Sequence, residues 1–182
     1  HDIDRRRAKA AFKSLGLLKY QAFVPGALDL ALGLKTLQSL AGDHNIDMVC
    51  ANIVVDPQVH KPVKTFVIKT MAGLKVAITG LLNRDLVTRP EKGVSFKDPV
   101  EAFARLLPTL KKQSDLVVLL AHMGQRRAVH LCSKVPGADV VIVGHAQEVM
   151  SRPRVIEGSH YIANPDQGKR LGILDLALTK EG

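Results

Sequence analysis

The strongest constraint on the fold is a pair of short apolar runs joined by a segment of helical composition. Residues 115–121 and 138–143 are almost continuously apolar, which is typical of strands covered on both faces of a parallel sheet. The intervening residues 126–134 can form a helix. Strand, helix and strand within about 30 residues make a βαβ unit, whose crossover we expect to be right-handed. The sequence therefore predicts a mixed α/β domain.

The remaining elements fit that class. Helices are predicted over residues 5–15, 26–41 and 99–113, and Pro108 should kink or end the last of these early. Strands are predicted over residues 47–55, 63–70, 74–82, 161–163 and 171–178. The short turn at residues 71–73 predicts that two of these strands form a hairpin.

Composition narrows the class of protein further. The chain has 182 residues, 46% of them hydrophobic and 24% charged, so we expect a single globular domain over residues 1–182. No apolar run approaches the roughly 20 residues of a membrane-spanning helix, and the charged first segment has no secretory signal. The net charge of +9 suits an anionic partner, although an unspecialised basic surface explains it equally well. Cys50 and Cys132 have apolar neighbours and are predicted to be buried.

Two histidines follow the two apolar runs, at the place where ligands collect in open α/β sheets. His122 ends the first run and His145 ends the second. Since adjacent parallel strands lie about 5 Å apart, both imidazoles can face one crevice. Neutral imidazole binds Zn²⁺ or Mn²⁺, and the side-chain oxygen of Gln147 is a further donor. The alternative is that each histidine caps its strand and bonds a nearby loop.

Two arginines begin the helix that follows His122. Arg126 and Arg127 are candidates for binding a phosphate beside the crevice. A solvated helix start is the alternative.

Several motifs together resemble the 5′-nucleotidase branch of the calcineurin-like metallophosphoesterases, from about residue 20 to residue 178. The Ala121-His122-Met123-Gly124 segment is similar to the Ser-His-Leu-Gly motif of that branch, and residues 135–147 resemble its Val-Pro-Gly-Ile-Asp-x-Ile-x-Gly-Gly-His-Ser-His/Gln signature. Further similarities lie at residues 51–53, 73–81, 98–102 and 168–172.

The resemblance implies a four-layer αββα sandwich with mixed sheets, from which the first strand is missing here. It also implies hydrolysis of phosphate esters such as nucleotides with two divalent metal ions, Mn, Zn or similar. His122, His145 and Gln147 would be metal ligands. The relatives of this branch suggest a periplasmic or extracellular location, and other chains or an upstream segment would complete the fold.

The chain departs from the family where its chemistry resides. The Gly-Asn-His-Glu motif, which supplies an Asn ligand and the catalytic His, is replaced by Gly26-Ala27-Leu28-Asp29. No bridging carboxylate is found in the expected order, and three neutral ligands hold a divalent cation only weakly. Two functions remain: a phosphoesterase domain of impaired activity, or an inactive relative used for binding or assembly. Nucleic-acid binding by the basic surface is a weaker third candidate.

Overall fold

The computed structural model describes residues 2–146, 150–164 and 172–177. Its helices are α1 (Asp2–Leu17), α2 (Ala27–Leu30), α3 (Leu34–Asp43), α4 (Pro99–Gln113) and α5 (Gln125–Lys134), with a short 3₁₀ turn at Arg84–Leu86. Its strands are β1 (Ala22–Phe23), β2 (Asp47–Met48), β3 (Ile53–Val55), β4 (Phe66–Met71), β5 (Leu74–Leu82), β6 (Val94–Phe96), β7 (Leu116–His122), β8 (Val140–Gly144), β9 (Arg154–Ile156) and β10 (Ser159–Ala163).

A six-stranded mixed sheet, in the order β4-β5-β7-β8-β10-β9, forms the centre of the fold. Strands β5, β7, β8 and β10 run parallel, and the antiparallel strands β4 and β9 occupy the two edges. The predicted βαβ unit is confirmed, because β7 and β8 are adjacent parallel strands connected by α5. The predicted hairpin is also confirmed: Met71 pairs with Leu74 across a turn in which Ala72 and Gly73 have positive φ.

Two apolar clusters place the helices on opposite sides of the sheets. Helices α4 and α5 pack on one face of the large sheet through residues that include Phe103, Leu107 and Leu131. Helices α1 and α3 pack against β2 and β6 in a second cluster that includes Phe12 and Leu37. The α/β class with mixed sheets is therefore confirmed. The predicted burial of both cysteines is confirmed as well.

The two layers of strands meet at Gly80 of β5. A methyl group at Gly80 would lie 2.3 Å from the carbonyl oxygen of Val49 and 2.9 Å from Cβ of Val24. The segments around β1 and β2 therefore lie directly on the large sheet. The order of layers is helices, large sheet, small sheets and helices.

Four element predictions need correction. The helix predicted over residues 26–41 is divided into α2 and α3, because Gly33 adopts a φ of +87° and Glu91 accepts the N–H of Leu34 that starts α3. The strand predicted over residues 47–55 is interrupted by a turn at Asn52. Helix α4 continues through Pro108 to Gln113. Residues 172–177 are not a strand, and the rest of that predicted strand lies outside the described residues.

Candidate functional site

The imidazoles of His122 and His145 converge at the carboxyl ends of two neighbouring strands. Their ring centroids are 5.5 Å apart and their planes are inclined by 53°. His122 is the last residue of β7 and pairs in register with Gly144, the last residue of β8. The two histidines thus lie side by side at the carboxyl ends of these strands, which is the arrangement predicted from the sequence. We call these two side chains the imidazole pair.

Local backbone features set the position of His145. It directly follows β8 and adopts a φ of +57°, which is uncommon for a residue other than glycine. The N–H of Gly124 donates to the carbonyl of Gly144 at 3.2 Å, so the loops after the two strands are tied together. His145 is exposed to solvent, whereas His122 is only partly exposed.

A glycine and a carboxylate approach His122 from the second layer. A methyl group at Gly26 would lie 2.9 Å from Cε1 of His122 and 3.2 Å from Oδ2 of Asp29. The same Oδ2 accepts the N–H of Gly26 at 2.8 Å. The segment that replaces the Gly-Asn-His-Glu motif therefore lies against His122.

The electrostatics of the site favour a neutral His122. Burial is the largest influence that lowers the pKa of His122, and the neighbouring His145 lowers it further, while the negative charge of Asp29 acts in the opposite direction. Because a neutral imidazole keeps a lone pair, this environment preserves His122 as an acceptor or ligand near neutral pH.

A cleft of about 520 Å³ opens beside His122. Its floor includes Leu120, Ile142 and Ile162 of the large sheet. Tyr20 and Phe23 contribute to its wall. The site is therefore mainly apolar around an imidazole.

The predicted arginines lie at the start of α5, which begins directly after the loop that follows His122. Arg127 is engaged in an ion pair with Asp85 in the 3₁₀ turn. Arg126 is exposed. Their role in binding a phosphate stays a prediction. Gln147 lies outside the described residues.

Asp29 is a residue to which the sequence analysis gave no role. Its position in place of the Glu of the motif was visible in the sequence, but its closeness to His122 depends on how the two layers pack. Asp85, the partner of Arg127, had no signal in the sequence because it is 42 residues away along the chain.

The donor set does not fit a two-metal centre. Two imidazoles converge, and the nearby carboxylate of Asp29 already accepts the N–H of Gly26. Among the described residues, no group of three His, Cys, Asp or Glu side chains could hold a metal ion. Two cations about 4 Å apart need bridging carboxylates. We therefore assign no reaction step to a metal here.

Comparison with known proteins identifies the class to which this arrangement corresponds. No family model matches the chain. A 5′-nucleotidase of Vibrio cholerae is 26% identical over 179 residues, covering 88% of this chain and 32% of the relative. A 5′-nucleotidase precursor from Thermus thermophilus has 25% identity and a TM-score of 0.69, over 76% of this chain and 28% of that structure. A calcineurin-like phosphoesterase from Bacillus subtilis shares the fold, with 23% identity and a TM-score of 0.65, over 74% of this chain and 47% of that structure.

The resemblance found in the sequence is therefore confirmed: relatives and structural neighbours of this chain are 5′-nucleotidases and calcineurin-like phosphoesterases. The chain spans about a third or less of the length of the curated relatives it matches, between 8% and 32%. This partial coverage is consistent with a C-terminal part of their phosphoesterase domain.

No helix in the described part of the chain has the length and apolar character needed to cross a membrane.

Proposed function

We propose that this chain is a 5′-nucleotidase-like domain that acts on phosphate esters such as nucleotides at the imidazole pair, with impaired hydrolysis. The observation that carries the proposal is the convergence of His122 and His145 at two adjacent strand ends. The names of the relatives, which include 5′-nucleotidases, support a nucleotide as the phosphate ester. Impairment follows from the replacement of the Asn and His of the family motif by Ala27 and Leu28.

Substrate binding in this proposal combines the imidazole pair with the basic start of α5. Arg126 and Arg127 follow His122 closely in the sequence and lie at the start of α5. The N-terminus of a helix favours a bound anion such as a phosphate. Arg127 would have to exchange its ion pair with Asp85 for the phosphate, whereas Arg126 is exposed and ready to bind. The overall charge of +9 favours the approach of a nucleotide.

Other parts of the proposal rest on the resemblance. Residues 1–182 form one domain of this kind. Divalent cations, Mn, Zn or similar, are lost from the site or are held with residues outside those described, such as Gln147. A periplasmic or extracellular location is the one that the resemblance implies.

A second candidate function is a binding or assembly module without catalysis. It is favoured by Leu28, which stands where the family motif has its catalytic His. This side chain is 88% exposed on α2. An apolar side chain cannot transfer protons, so this position cannot supply the proton transfer that the family motif provides.

The test measures phosphate release from adenosine 5′-monophosphate by the protein, with and without added Mn²⁺. We expect slow release, and we expect His122→Gln to lower it at least tenfold. The matched control is His130→Gln, because His130 is an exposed imidazole on α5 outside the pair. Unchanged release in the His122 variant would refute the catalytic proposal. Binding of the nucleotide without any release would favour the second candidate.

A further inference from the structure

Asn52 is a buried polar residue whose side-chain amide forms hydrogen bonds through both its nitrogen and its oxygen. The proposed function gives it no role. It has no solvent exposure. Its Nδ2 donates to the carbonyl of Leu82 at 2.8 Å and to the carbonyl of Lys97 at 3.1 Å. Its Oδ1 accepts the N–H of Leu82 at 3.0 Å. The amide therefore holds both backbone groups of one residue.

Leu82 lies next to the imidazole pair. Leu82 is the last residue of β5 and pairs in register with His122 at the end of β7. The N–H of the following residue, Asn83, donates to the carbonyl of His122 at 3.0 Å. The backbone of His122 is thus held by the end of β5, and the end of β5 is held by Asn52.

A second set of contacts fixes Asn52 itself. The N–H of Lys97 donates to the carbonyl of Asn52 at 2.8 Å, so this residue and the segment before α4 bond each other in both directions. The thiol of Cys50 lies 3.5 Å from Oδ1 and is buried. With its carbonyl and both ends of its amide bonded, Asn52 is held between the end of β5 and the segment before α4. It therefore acts as a rigid support.

We infer that Asn52 is a positioning residue for the imidazole pair, because its side-chain amide fixes the end of β5 that holds the backbone of His122. Without the amide, the carbonyl and N–H of Leu82 lose their partners, and the end of β5 rearranges to satisfy them. His122 moves with it, and the two rings separate. The ligand that the pair binds rests on the proposed function; the placement of the rings does not.

The experiment compares Asn52→Ala with the unchanged protein. The readouts are the nuclear Overhauser contact between the rings of His122 and His145, and the affinity for adenosine 5′-monophosphate. We expect the contact between the rings to weaken and the affinity to fall at least threefold. An Asn52→Ala protein that folds and keeps both readouts would overturn the inference.

Thr79→Val is the matched control. Thr79 is also fully buried, and its hydroxyl donates to the carbonyl of Thr65 at 2.7 Å. This substitution removes a buried hydrogen bond from the same strand without touching Leu82. We expect the contact between the rings to survive in it. An equal change in both variants would mean that any loosening of β5 moves the rings, and would contradict a specific role for Asn52.

A measurement on the unchanged protein applies if Asn52→Ala does not fold. In the unchanged protein, the N–H of Leu82 should exchange with solvent as slowly as the core of β7. Rapid exchange would overturn the inference.

The two readouts separate this inference from the proposed function. If the unchanged protein binds no nucleotide but Asn52→Ala weakens the contact between the rings, the proposed function fails and the positioning role stands. If nucleotide binds normally and the rings do not respond to Asn52→Ala, the positioning role fails alone.

Discussion

At the scale of single residues, the site depends on two glycines as well as on the two histidines, because the glycines leave space for the ring of His122. A methyl group at Gly26 would lie 2.9 Å from Cε1 of His122, and one at Gly144 would lie 3.2 Å from Nδ1 of the same ring. The imidazole of His122 therefore occupies space that two glycines leave open. Gly26 has φ −83° and ψ 168°, an extended conformation that any residue can adopt. Position 26 therefore favours glycine because a side chain would meet the ring of His122, and not because of the backbone conformation.

This leads to a prediction for Gly26→Ala. The new methyl group must displace the ring of His122, which is the end of a side chain and can rotate. We expect a change of less than about 1 kcal/mol in the free energy of unfolding, since no backbone strain arises. The affinity for adenosine 5′-monophosphate should nevertheless fall at least threefold. Urea denaturation and a binding titration measure the two effects.

Gly42→Ala is the control for that variant, because a methyl group at Gly42 in α3 meets no atom within 4 Å. The same chemical change there should leave nucleotide affinity unaltered and raise stability by up to about 1 kcal/mol. A Gly26→Ala protein with unchanged affinity would mean that the position of His122 does not matter for binding.

The positions of the imidazole pair were predictable at this scale, but their surroundings were not. Both histidines directly follow apolar runs, so the parallel pairing of those runs was enough to place them side by side. Gly26 and Asp29 approach His122 from another layer, through packing that no local pattern encodes. Asn52 was visible only as a polar interruption of a strand, because the two residues that its amide bonds, Leu82 and Lys97, lie 30 and 45 residues away.

At the scale of elements, prediction succeeded where one local signal dominated. The turn at residues 71–73 and the apolar run of β7 each specify their own element. The helix predicted over residues 26–41 failed because its leucines have helical spacing on both sides of a break. The break itself is imposed by Gly33 and by Glu91, which is 57 residues from the N–H that it accepts.

Contacts between elements also include one ion-pair cluster, formed by Asp47 at the start of β2. Its carboxylate contacts Nζ of Lys64 at 2.5 Å and Nζ of Lys69 in β4 at 2.6 Å. Asp47 thereby connects the small sheet to an edge strand of the large one. Burial acts to raise the pKa of Asp47, but the two lysines outweigh it, so its pKa lies below the ordinary value.

We therefore expect Asp47→Asn to reduce stability in a pH-dependent way. Because folding lowers the pKa of Asp47, its contribution is fully present above about pH 4 and is lost as the pH falls through the folded pKa. The variant should be less stable by about 1 kcal/mol at pH 7, given the exposure of Lys64. The difference should shrink as the pH falls below about 4. Urea denaturation across this pH range measures it.

The control for Asp47 is Glu101→Gln in α4. Glu101 pairs with Arg105 at 3.5 Å, and the two side chains are 70% and 77% exposed. Removing this pair should cost no more than about 0.5 kcal/mol. Equal losses in the two variants, or a loss at Asp47 that does not depend on pH, would contradict a connecting role for Asp47.

At the scale of the whole molecule, the site exists because two layers approach closely at one point. The large sheet supplies the imidazole pair, and the segment from β1 to α2 supplies Gly26 and Asp29. These parts meet at Gly80, whose carbonyl accepts the N–H of Ala51 at 2.7 Å. Neither layer forms the site alone, so the distance between the layers controls both stability and the geometry around His122.

Gly80→Ala tests this dependence. The methyl group would lie 2.3 Å from the carbonyl oxygen of Val49, which is backbone and can move only with its layer. We expect a loss of about 2 kcal/mol or more in the free energy of unfolding, as for other overpacked cores. We also expect weaker nucleotide binding, because a shift of this layer removes the packing of Gly26 against the ring of His122 and lets that ring move. Gly42→Ala serves again as the control. A Gly80→Ala protein as stable as the unchanged one would show that the layers yield easily, and the site would then not depend on their separation.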